Sequence, residues 1–166
     1  EGKDMLAPTL IVGLGGTGSD IVKRVAKQVN EEQEQHIRFV VFDTDVNELS
    51  EIRAENNLIR TVQTSTKMTV GEYLEQDVHA KDQWFPVSPI LNKKTLTEGA
   101  GQVRAISRLA LDTAMKKGNI EPLHKAIEEL NQLTGEQAQQ ALRVIVVSSL
   151  AGGTGSGLIL PVAMYI

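Results

Sequence analysis

Two stretches of this chain share one plan, and that repetition constrains the fold more than any other feature. Each begins as a short apolar run, passes directly into clustered glycines and continues as a helix. In the first, Pro8-Thr-Leu-Ile-Val-Gly13 reads as a buried strand. Gly13-Leu-Gly15-Gly16-Thr17-Gly18 follows, and a helical pattern runs from Ser19 to Val29 with Ile21, Val22, Val25, Ala26 and Val29 on one face. In the second, the β-branched run from Leu142 to Leu150 reads as another buried strand. It leads through Ala151 into Gly152-Gly153-Thr154-Gly155-Ser156-Gly157, then into an apolar helix from Leu158 to Ile166. Strand–glycine–helix units of this kind belong to parallel sheets with helical crossovers.

The intervening sequence fits that scheme. Ile37 to Phe42 reads as a second strand, ending at Asp43-Thr44-Asp45 after a polar exit loop at Glu31 to Gln35. Leu58 to Val62 reads as a short third strand. Residues 64–98 read as an irregular insertion containing a helical turn at Val70 to Leu74, with Trp84 and Phe85 tucked against the body. Two helices follow, Gln102 to Met115 and a second marked by Ile120, Leu123, Ile127 and Leu130 and ended by Thr134-Gly135. The predicted class is α/β, a Rossmann-like three-layer sandwich with a mostly parallel sheet. The chain opens on Glu1 and closes within an apolar helical pattern, so further sequence is expected on both sides.

Composition narrows the functional classes. Hydrophobic residues make up 41% and charged residues 23%, an ordinary globular balance. A formal net charge of −4 gives no broad attraction to nucleic acid or an anionic membrane. There is no cysteine, hence no disulfide framework and no thiolate metal site, which suits a reducing cytoplasm. No apolar run approaches the roughly 20 residues of a membrane span. His36, His79 and His124 are scattered without metal-ligand spacing and read as surface residues, and Glu128-Glu129 reads as a solvated helix face. Ser148, Ser149 and Ser156 lack the G-x-S-x-G framing of a nucleophile elbow.

The glycines carry the chemistry. Gly13–Gly18 satisfies G-x-G-x-x-G between a strand and a helix, where backbone N–H groups and the helix dipole favour phosphate. Its bland reading is a tight structural turn. With Asp43 ending the second strand, a dinucleotide-binding fold is one interpretation, the carboxylate then holding a ribose. Gly152–Gly157 places four glycines in six positions, with Thr154 and Ser156 offering hydroxyls beside backbone N–H groups as a phosphate nest. Neither stretch is a P-loop, since Leu158 and Ser19 stand where a lysine is required.

Ala151-Gly-Gly-Thr-Gly-Ser-Gly157 resembles, at every position, the signature loop of the tubulin/FtsZ superfamily. Gly13 to Asp20 resembles that family's first nucleotide loop, with Asp20 where FtsZ has asparagine. Asp43-Thr44-Asp45 through Leu49 is similar to the FtsZ segment after the second strand, and Gly99-Ala100-Gly101 to the third loop. The stretch from Gly99 through Arg104 to Leu111, with Trp84-Phe85-Pro86 before it, looks closest to divergent bacterial tubulin-like proteins. The resemblance implies the N-terminal part of a GTP-binding domain. Gly13, Gly15, Gly16, Thr17 and Gly18, with Asp20, would form one side of a GTP/GDP site. Ala151, Gly152, Gly153, Thr154, Gly155, Ser156 and Gly157 would form the other. Gly99, Ala100 and Gly101 would lie near the γ-phosphate, Asp45 beside Mg2+, and Asp43 in the same neighbourhood. Arg104 either neutralises phosphate charge or is a surface arginine. The resemblance further implies self-association into oligomers or filaments and GTP hydrolysis by the full-length protein. The base-reading and catalytic segments are then expected beyond Ile166. A nucleotide-binding scaffold without hydrolysis and an NAD(P)-binding enzyme are the other interpretations.

Overall fold

The computed structural model describes residues 7–65, 67–77, 84–86, 88–95, 104–136 and 141–166. Among them are four strands, β1 (Thr9–Leu14), β2 (Ile37–Asp43), β3 (Ile59–Gln63) and β4 (Arg143–Ser148). The helices are α1 (Gly15–Ala26), α2 (Glu31–Glu34), α3 (Val46–Glu55), α4 (Val70–Gln76), α5 (Pro89–Asn92), α6 (Arg104–Lys116), α7 (Glu121–Glu136) and α8 (Gly153–Tyr165). The sheet is wholly parallel in the order β3-β2-β1-β4. β1 is buried along its whole length, which is why it reads as an unbroken apolar run rather than an alternating one.

Side chains alternate between two helical layers. Leu10, Val12, Leu14, Val40, Phe42 and Val62 face a core completed by Leu111, Leu123, Leu130 and Leu158 from α6, α7 and α8. Ile11, Phe39, Val41 and Ile59 face the other way, against Val22 and Ala26 of α1 and Leu49 and Ile52 of α3. This is the three-layer α/β arrangement expected from the sequence. A satellite core joins Val70, Tyr73 and Leu74 of α4 to Phe85 and to Ile106 and Leu109 of α6. Trp84 lies beneath Arg108, whose guanidinium is 4.2 Å from the ring centroid. The two aromatics thus do pack on the body.

Several local expectations are corrected. The polar exit loop contains α2, closed by a capping box between Asn30 and Gln33. The stretch after Asp45 is the helix α3, with Asp45 as its cap. Only Val22 and Ala26 of the α1 pattern are buried, whereas Ile21 and Val25 are largely exposed. α7 continues past Thr134-Gly135 to Glu136. The final strand stops at Ser148 and is not buried, because it lies at an edge of the sheet, where Val144 and Ile145 remain 38% and 42% exposed.

Candidate functional site

The register brings β1, β2 and β4 to a common end, with Leu14 opposite Phe42 on one side and Ser148 on the other. From β1 the chain builds outward through β2 and β3, then returns to lay β4 on the opposite side of β1. The switch in direction falls between β1 and β4, and in open α/β sheets ligands bind in the crevice at the strand C-termini of such a switch. Both glycine-rich segments emerge there.

The first segment is mostly helix. α1 begins at Gly15, whose φ of +69° is the left-handed conformation that lets the strand turn directly into the helix. Gly16 is partly exposed and Thr17 exposed, whereas Gly13 and Gly18 are buried. A Cβ on Gly13 would lie 2.7 Å from the Gly18 carbonyl oxygen, so this outer pair serves close packing. Asp20 is exposed and pairs with Lys23 at 3.1 Å.

The second segment meets the first. Ala151 and the N-cap Gly152 are exposed, Gly153 and Gly155 are buried, and Thr154, Ser156 and Gly157 are intermediate. A Cβ on Gly15 would stand 3.0 Å from the Gly155 nitrogen and 3.3 Å from the Thr154 Cβ. The hydroxyls of Thr44 and Thr154 approach to 3.4 Å, closing the crevice floor from the β2 side. The Ser156 hydroxyl donates back to the carbonyl of Gly152, the N-cap residue of α8.

Helix capping separates these two starts from four of the other helices. α2, α3, α4 and α5 each have a side-chain N-cap, Asn30, Asp45, Thr69 and Ser88 respectively. α1 and α8 have none. Their first-turn N–H groups and positive dipole ends lack the side-chain acceptor that those four have, the kind of helix start that suits an anion.

Carboxylates line the β2 side. Asp43 is 4% exposed, and its Oδ1 accepts the backbone N–H groups of Thr44 (2.6 Å) and Asp45 (3.1 Å), while Oδ2 has no partner. Burial, partly offset by those two bonds, pushes its carboxyl above the usual aspartate value. Asp45 Oδ1 accepts from Asn47 and Glu48 N–H at 2.9 and 3.3 Å. Glu48 was not expected at the site; its carboxylate oxygens stand 3.5 and 3.7 Å from where a Gly16 Cβ would be. Burial and then the Asp43 charge raise its pKa. Its signal was present in Asp45-x-x-Glu48, a helix-start spacing. Among the described residues no group of three or more histidine or acidic side chains could hold a metal alone.

Arg104 lies on α6 and donates to the Leu150 carbonyl at 3.3 Å, so it contacts the backbone that leads into the second segment. Gly99, Ala100 and Gly101 lie outside the described residues, as does His79. His124 is exposed but stacks on Tyr165, and His36 is only partly exposed. Glu129 is no plain solvated residue, since Arg38 and Arg60 both bond to it, at 2.6 and 2.8 Å. The three line a cleft of about 490 Å3 at the opposite end of the sheet, where one carboxylate serves both guanidinium groups.

A parallel α/β sheet with paired glycine-rich helix starts at its switch point defines a Rossmann-like three-layer fold. The family model described as "Tubulin like" matches residues 10–166, nearly the whole chain, and the chain belongs to that tubulin-like family. No curated protein matches the chain at a significant level. None of the helices described is long and apolar enough to cross a membrane.

Proposed function

We propose that this chain binds GTP and GDP through their phosphates, in the crevice between the first turns of α1 and α8, as the phosphate-holding half of a tubulin-type domain. One observation carries the reading: α1 and α8, whose starts carry no capping side chain, begin against each other at the switch point. Gly15, Gly16 and Thr17 offer one set of backbone donors, and Gly152 to Gly155 the other. Their convergence fits a polyphosphate better than a single carboxylate. Membership of the tubulin-like family supports guanine as the base and head-to-tail self-assembly as the setting for hydrolysis.

Mg2+ belongs to the same reading. One carboxylate suffices for that ion when phosphate oxygens and waters complete its shell. Asp45 is the residue proposed for it. The cation would screen phosphate charge in a site without a P-loop lysine. Thr44 and Thr154 would hold the floor of the crevice, and backbone dipoles would stabilise charge on the transferred phosphoryl group.

Calorimetric titration of the full-length protein with GTP and with NAD+ tests binding. Micromolar or tighter GTP affinity, weakened by Thr154→Val, is expected; NAD+ binding without GTP binding would defeat the proposal. Turnover measured against protein concentration then tests hydrolysis. A steep rise in specific activity is expected for a site completed between subunits, and a flat, near-zero trace would leave a nucleotide-binding scaffold.

A further inference from the structure

The second glycine segment is gripped from behind by one turn of α6. Arg104 and Ser107 stand three residues apart, hence on the same helix face. Arg104 reaches the Leu150 carbonyl, just ahead of the glycines, at 3.3 Å. Ser107 is fully buried and donates its hydroxyl to the Gly153 carbonyl, at the first residue of α8, at 3.0 Å. The approach depends on a glycine. A Cβ on Gly157 would lie 2.6 Å from the Arg104 carbonyl oxygen and 2.8 Å from the Ser107 Cβ. Any side chain there would push α6 off α8 and break the bond to Gly153.

The bond holds the peptide in the direction that the start of α8 gives it. In a planar trans peptide the C=O and N–H point oppositely. With the Gly153 carbonyl turned to Ser107, the N–H of Thr154 is turned away from α6. On that far side lies α1, whose Gly15 meets Thr154 and Gly155. The Thr154 hydroxyl faces Thr44 there as well.

We infer that Ser107 is a positioning residue for the phosphate cradle, holding the Gly153–Thr154 peptide so that its N–H faces the crevice. The inference rests on the guanine-nucleotide reading above. Ser107 never touches the ligand; it acts through the peptide it orients.

Displacement of a fluorescent guanine nucleotide from the full-length protein by GTP, GDP and guanosine tests this. Loss of one buried neutral hydrogen bond predicts that Ser107→Ala weakens GTP and GDP about three- to tenfold. Guanosine, which lacks phosphates, should compete as it does with the wild type. Ser107→Cys keeps the shape with a poor donor and should lose phosphate affinity in the same direction, which carries the test if the alanine variant does not fold. An equal loss for all three ligands would mark a merely structural role and overturn the inference, as would no loss for any. A wild type that binds none of the three defeats the nucleotide reading itself. A wild type that binds, with both variants unchanged, defeats the role of Ser107 alone.

Discussion

Gly15 and Gly16 are neighbours with opposite demands, and substituting each by alanine separates the fold's requirements from the ligand's. At Gly15 the φ of +69° is unfavourable for an L-residue by roughly 1–2 kcal/mol. Its Cβ would also press on the Gly155 nitrogen at 3.0 Å, backbone that yields little. Overpacking of this kind adds at least about 1 kcal/mol. Gly15→Ala should therefore lower stability by roughly 2–4 kcal/mol, read as a lower urea midpoint with an unchanged slope. Gly16 sits in helical conformation, and a Cβ there meets only the Glu48 carboxylate, at an ordinary 3.5 Å. Alanine at that position should be neutral or stabilising by up to about 1 kcal/mol, because the unfolded chain loses freedom. Yet its methyl would stand over the open first turn of α1, where a phosphate oxygen must approach the N–H groups. The expected signature of Gly16→Ala is an undiminished urea midpoint with GTP affinity down by at least about tenfold, or 1.4 kcal/mol. If Gly16→Ala bound GTP as tightly as the wild type, ligand approach would not explain this glycine, and the case for phosphate at the first turn would fail.

Asp43→Asn should stabilise the nucleotide-free protein at pH 7. A buried carboxyl with a raised folded pKa contributes its stability below the unfolded value of 3.8 and loses it as pH rises through the folded value, so wild type and variant should converge in urea titrations at acid pH. Glu129→Gln should cost about 1 kcal/mol at neutral pH, a modest figure for a half-exposed network. Burial raises the Glu129 pKa, but the Arg38 and Arg60 bonds outweigh it and leave it lowered, so the contribution exists above 4.5 and fades as pH falls through the folded value; a cost that persists at low pH would refute this. Removing divalent cation with EDTA should weaken GTP binding more than tenfold, read by titration with and without Mg2+.

The sheet was legible because β1 and β2 are buried on both faces, which forces a continuous apolar run that only a parallel sheet accommodates. The same reasoning misjudged the last strand. Leu142 to Leu150 is as apolar as a central strand, but burial depends on neighbours, and among the described residues β4 has a strand on one side only. α3 was missed because its surface is mostly polar and only Leu49 and Ile52 are buried, so no apolar stripe announces it. The two glycine segments were legible as a pair, whereas their internal division of labour was not. Which glycine turns the chain and which packs is decided by what lies opposite, as Gly18 does opposite Gly13. Ser107 left no signal, since its partner Gly153 is 46 residues away and becomes a neighbour only when α6 crosses α8.

The charge distribution explains why the crevice is built from backbone. Asp20 on α1 and Asp43, Asp45 and Glu48 on the β2 side act together, so that after burial the acidic neighbours also raise Glu48. Among the described residues, Lys23 is engaged with Asp20 and Arg104 with the Leu150 carbonyl. A bare polyphosphate would meet net repulsion from the side chains there. Two helix dipoles, each equivalent to roughly half a positive charge, offset only part of it. On the proposed nucleotide reading the remainder would fall to a counterion carried in with the phosphates, for which the acidic rim would be an asset. Peptide donors differ from a lysine in one further respect: they cannot swing to follow a misplaced phosphate. A cradle made of them has to be held rigid from outside, by the left-handed turn at Gly15 on one side and by α6 on the other.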